Sequence, residues 1–277
     1  MTMSAGGAYL HHIHIGSPDP ARLAAFYADH MQMVAEEKDG AWHLAGPDRR
    51  LRISEGPAKS LLQAGFAAES AAALDALRER AEAGGCGPEA ADEPLFREGA
   101  FAVTDPDGNR VVFGLSHREP APEGHFIHGP LQHLTLATKD VEAIEGFYGG
   151  ILGFEVSDRV LKDSGEVATC FLRSNHEHHT LACFKQDRTG MDHHSYEAGQ
   201  WDTIRDWSDH FAGKGTTLMW GPGRHGPGNN LFIFIKDPDE NWIEVSAELE
   251  VIHDRPVKDW PHAERTLNLW GRAIMRS

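Results

Sequence analysis

The apolar and polar positions of this chain alternate in short runs, switch to a helical spacing, and then do the same again. Residues 131–138 read LQHLTLAT, so Leu131, His133 and Thr135 share one side of an extended segment while Gln132, Leu134 and Leu136 share the other. Directly after it, Val141, Ile144, Phe147 and Ile151 recur at three- and four-residue spacing, which predicts a helix with one apolar stripe. Residues 10–27, LHHIHIGSPDPARLAAFY, repeat that arrangement at a constant offset of 121, with Leu10 on Leu131, His12 on His133, Phe26 on Phe147 and Tyr27 on Tyr148. In this first copy Ser17 is placed to cap the helix, Pro18 and Pro20 stand at its start, and Leu23, Phe26 and Tyr27 make its stripe.

A second helix is predicted in each copy. One covers about 70–83 and stops at Gly84 and Gly85; the other carries Trp201, Ile204, Trp207 and Phe211, a core-facing stripe, and stops at Gly213. Each copy closes with two strands joined by a tight turn, Asp105–Asn109 (DPDGN) or Asp237–Asn241 (DPDEN). The succession strand, helix, strands therefore occurs four times, and implies an α+β protein with antiparallel or mixed sheets. Pro120, Pro122, Gly124, Gly129 and Pro130 mark the join. The division expected is an amino-terminal domain over 1–125 and a carboxy-terminal domain over 126–277, whose tail from Val251 packs on the second domain.

Length and charge narrow the function. A chain of 277 residues suits two domains at roughly 150 residues each. Its formal net charge of -16 repels phosphate backbones and anionic lipid, so neither nucleic acid nor membrane is an expected partner. No apolar run approaches the ~18 residues of a membrane span, and Met1 to Gly7 lack the order of a signal peptide. Cys86, Cys170 and Cys183 are too few and too far apart for a disulfide framework or a zinc motif, which points to reduced thiols in a cytoplasmic protein.

The chemistry concentrates in the second copy. Seven of the 18 histidines lie between His176 and His225. With His133, His194 and Glu244 the chain offers two imidazoles and one carboxylate, the donor set of non-haem Fe(II) oxygenases, which leaves coordination positions open for substrate and oxygen. Four segments give the set its context: LQHLTL (131–136), NHEHHTLACF (175–184), MDHHSYE (191–197) and HGPGNNLFIFIKDPDENWIEVS (225–246).

Together these segments resemble the type I extradiol ring-cleavage dioxygenases of the vicinal-oxygen-chelate superfamily. The last one carries the family's histidine, aromatic, Asp-Pro and glutamate pattern at His225, Phe234, Asp237, Pro238 and Glu244. The resemblance covers nearly the whole chain. It implies two tandem domains, each of two βαβββ modules forming a partly closed sheet around a cavity. It further implies Fe(II), with Mn(II) the alternative metal, held by His133, His194 and Glu244. His179 is implied as the acid/base beside the metal and His225 as a hydrogen-bonding partner of substrate. Phe234, His178 and Phe171 are the expected contacts to the substrate. A catechol-type aromatic and O2 are the implied reactants, in aromatic-compound catabolism by a cytoplasmic homo-oligomer. The sequence departs from the family in having Phe234 where a tyrosine is usual, and Glu240 where the turn usually has glycine.

Other readings stand beside these. His176 and His193 are expected at the surface or behind the ligands. His12 aligns with His133, but with Gly65 taken as the counterpart of His194 and Val112 as that of Glu244, the first copy has no ligand set and reads as a metal-free domain. The alternative functions are a metal-dependent lyase or isomerase of the glyoxalase type, disfavoured by His179 and His225, and a non-catalytic small-molecule binder, disfavoured by the length and the ligand set.

Overall fold

The computed structural model describes residues 7–117 and 122–276. Its first module is β1 (Ala8–Ser17), α1 (Pro20–His30), β2 (Val34–Lys38), β3 (Ala41–Gly46) and β4 (Arg49–Glu55). The second is β5 (Ser60–Ala68), α2 (Ala71–Ala83), β6 (Glu89–Ala90), β7 (Phe101–Thr104) and β8 (Arg110–Gly114). The third is β9 (Leu131–Thr138), α3 (Val141–Glu145), β10 (Glu155–Leu161), β11 (Val167–Arg173) and β12 (Leu181–Lys185). The fourth is β13 (Gly190–Glu197), α4 (Trp201–Gly213), β14 (Trp220–Arg224), β15 (Leu231–Lys236) and β16 (Trp242–Ala247). Each is a βαβββ unit, as the pattern predicts. A tail adds β17 (Lys258–Pro261) and α5 (Glu264–Leu267).

Two sheets result, with strand orders β2-β3-β4-β1-β5-β8-β7-β6 and β14-β15-β16-β13-β9-β12-β11-β10-β17. Within a module the first and last strands lie side by side and parallel, a pairing that needs the intervening helix as a crossover. The modules of one half meet through their first strands, β1 on β5 and β9 on β13, both antiparallel. The tail strand β17 extends the second sheet by pairing in parallel with β10.

Some local details differ from expectation. The cap of α1 is Asp19, whose Oδ1 accepts from the Arg22 amide at 3.1 Å, while Ser17 Oγ accepts from the Asp19 amide two residues later. Pro20 takes the first helical position, so the residue before it must be the cap. The helix from Val141 becomes a π-helix over Gly146–Ile151, in a stretch whose three glycines give α-helical geometry little support. Trp201 is 43% exposed and meets the ring of Trp270, so Trp207, fully buried, carries that helix's packing. Glu240 holds φ at 67°, a left-handed conformation matching Gly108 (87°) in the first copy, so the glutamate replaces glycine with the turn unchanged.

The repeated turn has a structural purpose. Asp105 Oδ1 accepts from the amides of Asp107 and Asn109, and Asp237 Oδ1 from those of Asp239 and Asn241. Each aspartate then receives a tyrosine hydroxyl from the other half: Tyr148 donates to Asp105 at 3.1 Å and Tyr27 to Asp237 at 3.0 Å, all buried. The aligned tyrosines and turns of the two copies therefore lock the halves together reciprocally. Tyr27→Phe is expected to lower the unfolding free energy by about 1–3 kcal/mol, the range for a buried hydrogen bond to a carboxylate. Urea denaturation of the variant checks this, and an unchanged midpoint and slope would refute it.

Candidate active site

The second sheet surrounds a partly enclosed cavity. Strand alternation decides what faces it. From β9 come His133 and Thr135, two residues apart and therefore on one side. The neighbouring strands supply Phe171, Phe184, His193, Trp220, Phe234 and Glu244. His179 enters from the turn between β11 and β12, and His225 and Asn230 from the loop between β14 and β15. Leu267, Ile274 and Arg276 of the tail complete the wall.

At the polar end three ligating groups converge. His133 Nε2 lies 3.1 Å and His193 Nε2 3.3 Å from Glu244 Oε2. One donor atom from each of these residues falls within 4.8 Å of the others, and all three are buried. First-row metal bonds of about 2.0–2.2 Å at right angles place neighbouring donors about 3 Å apart, so the spacing fits one small divalent ion. Oriented outer contacts support the fit. Asp192 Oδ1 sits 2.6 Å from His193 Nδ1 and turns Nε2 towards the cluster, and Asn230 Nδ2 donates to Glu244 Oε1 at 3.2 Å. Burial would raise the Glu244 carboxyl, but hydrogen bonds with His133, His193 and His225 hold it well below the carboxylate range.

The residue that joins His133 and Glu244 in this cluster is His193, whereas the expected His194 lies outside it. On β13 the register with β9 skips a residue at Asp192, after which His193 lies opposite Thr135 and His194 opposite Leu134. Thr135 faces the cavity, and its Oγ1 is 3.0 Å from His193 Nε2. His194 therefore points to the opposite face, where its Nε2 lies 3.3 Å from the Tyr27 hydroxyl. Burial, reinforced by His193 and His133, pushes the His194 imidazole down to about 3, so it stays neutral in the core. The expectation that His193 lies at the surface or behind the ligands is corrected by the same register.

The remaining expected residues separate as follows. His179 lies beside the cluster, its ring centroid 4.2 Å from that of His133 and 5.1 Å from that of Phe171. Burial, with His133 next in effect, drives its imidazole well below its ordinary value, so it is neutral. His225 Nδ1 is 2.5 Å from the Leu267 carbonyl, which only accepts, so Nδ1 carries the proton. Phe171 and Phe234 line the cavity, with Phe234 stacked on Trp220 at 5.3 Å and edge-on to His193 at 5.3 Å. His178, expected to touch substrate, does not line the cavity; adjacent residues diverge, and it stands behind His179 against Asp158. His176 is exposed.

Sequence reasoning missed Arg276. Its guanidinium lies 3.0 Å from Asp192 Oδ1 and 5.3 Å from the Phe234 ring centroid, closing the cavity beside the cluster. No spacing in the sequence announces it, because the tail reaches the site only after β17 has joined the sheet edge.

The first half holds a degenerate counterpart of the cluster. His12 pairs with Gly65 as His133 pairs with Ser195, and Gly65 with Val112 as Ser195 with Glu244. Gln63 thus stands where the second half has His193, and Val112 where it has Glu244. Glu93 fills the space, receiving a hydrogen bond from Gln63 at 2.5 Å and ion-paired to Arg52 at 3.2 Å.

Residues 9–113 and 131–245 each match the Glyoxalase/Bleomycin resistance protein/Dioxygenase superfamily. The chain belongs to that superfamily. Among its curated members the chain is 27% identical over 257 residues to 3-methylcatechol 2,3-dioxygenase of Pseudomonas putida, covering 84% of this chain and 88% of that one. With metapyrocatechase 2 of Cupriavidus necator it is 28% identical over 193 residues, 60% of this chain and 59% of the relative, so that match spans less than two thirds of the relative's length. Among solved structures, the Mn(II)-bound glyoxalase from Novosphingobium aromaticivorans superposes at a TM-score of 0.79 and 25% identity, over 97% of this chain and 92% of that one. Homoprotocatechuate 2,3-dioxygenase from Arthrobacter globiformis gives a TM-score of 0.82 at 21% identity, over 99% and 91%, a likeness of fold. No helix of the described residues is long and apolar enough to cross a membrane.

Proposed function

We propose that this superfamily member is an extradiol dioxygenase that opens the ring of a catechol-class substrate with O2. One observation carries the reading: two imidazoles and a carboxylate converge on one side of a cavity lined elsewhere mainly by aromatic and aliphatic groups, with His179, His225 and Arg276 among them. Such a site offers an ion three protein donors and a largely apolar space for a ring. Fe(II) held there by His133, His193 and Glu244 would supply Lewis acidity and a route for electrons between substrate and O2. Everything else falls to the chain. Phe171, Phe184, Phe234 and Trp220 enclose the ring and keep water away, His179 takes and returns a proton, and His225 hydrogen-bonds the substrate. Phe234 brings no hydroxyl, so the proton traffic runs through the histidines. His133, His193 and Glu244 hold the ion, within a catalytic unit over residues 126–277. Residues 1–125 form a metal-free unit, consistent with Gln63 and Val112 at the corresponding positions.

The test is direct. Protein reconstituted anaerobically with Fe(II), mixed with a panel of catechols and then exposed to air, is expected to give a yellow ring-opened acid containing both atoms of labelled O2. An inert panel, together with isomerisation of a hemithioacetal by the same protein, would replace this reading with the glyoxalase one.

A further inference from the structure

Behind His179 lies a second buried chain of polar groups that the donor cluster does not use. Asp158, on β10, is fully buried. Its Oδ2 accepts from Trp260 Nε1 at 2.8 Å, and its Oδ1 lies 2.9 Å from Arg255 Nη1, so two tail residues fix the carboxylate. His178 Nε2 approaches Oδ2 at 3.0 Å, along a bent line. On its other side His178 Nδ1 is 2.9 Å from Nδ1 of His179. A continuous line therefore runs from carboxylate to imidazole to imidazole and ends at the cavity.

Each link constrains the next. A bare Nε2 on His178 would set a lone pair against a carboxylate at 3.0 Å, so that nitrogen carries the proton whether or not the contact is linear. A neutral His178 then has a bare Nδ1. Two lone pairs or two protons cannot face each other at 2.9 Å, so His179 must present a proton at its own Nδ1. Its other nitrogen, Nε2, is left unprotonated. Burial favours the neutral form of His178 against the pull of Asp158. The states are coupled: turning His179 over forces His178 over, and that exposes the carboxylate to a lone pair.

We propose that Asp158 and His178 are positioning residues that set the tautomer of His179, so that its Nε2 reaches the cavity as a ready proton acceptor. The proposal rests on the acid/base reading of His179 given above. When a substrate hydroxyl ionises, its O–H bond breaks and an Nε2–H bond forms. The resulting imidazolium keeps its Nδ1–H on His178, with the Asp158 charge one ring further away. Return of the proton from Nε2 resets the chain with nothing else consumed.

The experiment has two arms. In 15N-histidine-labelled, zinc-substituted protein, the His179 resonances, assigned by their loss in His179→Ala, are expected to show a protonated Nδ1 and a bare Nε2. Asp158→Asn offers His178 an amide N–H in place of a carboxylate. It should turn both rings over and lower kcat of the iron-loaded enzyme by about 10²-fold, the lower range for losing a general base, with KM little changed. His178→Gln keeps an acceptor for Nδ1–H and should retain most of the turnover that His178→Leu loses. A wild-type His179 protonated at Nε2, or a doubly protonated His178, overturns the proposal. So does an Asp158→Asn protein with unchanged tautomer and turnover, or equal losses in the two His178 variants. The resonance arm needs no turnover, so a protein that cleaves no catechol would refute the proposed function and leave this measurement decisive on its own.

Discussion

His193→Ala is expected to bring iron content from about one ion per chain to near zero, while His194→Ala keeps the ion. Removing His193 leaves His133 and Glu244, and one imidazole with one carboxylate does not hold Fe(II) against solvent. Asp192 also loses the Nδ1 proton it meets at 2.6 Å, so the alanine cannot be compensated from behind. His194 lies on the other face of the same strand, within 3.3 Å of the Tyr27 hydroxyl. Its loss leaves a buried polar neighbour under-satisfied and should show as about 1–3 kcal/mol of stability. Metal analysis after gel filtration, paired with urea denaturation, separates the two variants. Iron lost in His194→Ala and kept in His193→Ala would reverse the assignment.

That pair also marks what the sequence could and could not reveal. The four modules were legible because an alternating strand and a striped helix recur, and each half closes on a DPDxN turn whose aspartate caps its own loop. The cluster was legible as a set of residue types, since His133 lies on an extended strand and Glu244 follows a turn that is repeated within this one chain. The choice between His193 and His194 was not, because adjacent residues on a strand face opposite ways and one bulge exchanges them. The bulge at Asp192 is a tertiary event: it exists because β13 pairs with β9 on one side and β16 on the other. A weak signal was available. Ile243 and Val245, flanking Glu244, mark the core-facing side of β16, and parallel pairing with β13 places His194 beside Ile243 and Ser195 beside Glu244. His178 and His179 pose the same ambiguity, and there the cavity selects His179. Arg276 and Asp158 lay beyond reach, since both act through a tail whose route depends on a free sheet edge.

His179→Ala is expected to keep iron, to bind catechol, and to lose roughly 10²–10⁴-fold in ring cleavage, the span that general acid–base groups contribute. Metal content should survive because His179 is outside the converging set of His133, His193 and Glu244. Binding should survive because the ring slot is made by aromatic walls. What disappears is a neutral imidazole, buried beside His133, that is free to take a proton as charge develops on substrate. No neighbour replaces it. His178 is turned towards Asp158, and His225 spends its Nδ1 proton on the Leu267 carbonyl. Phe234→Tyr should be mild by comparison, since the native site works without that hydroxyl. Single-turnover mixing of the anaerobic catechol complex with O2 reads the step in isolation. Near-native turnover in His179→Ala would move the proton acceptor to His225, whereas loss of iron would mean that His179 belongs to the metal's own ligand set.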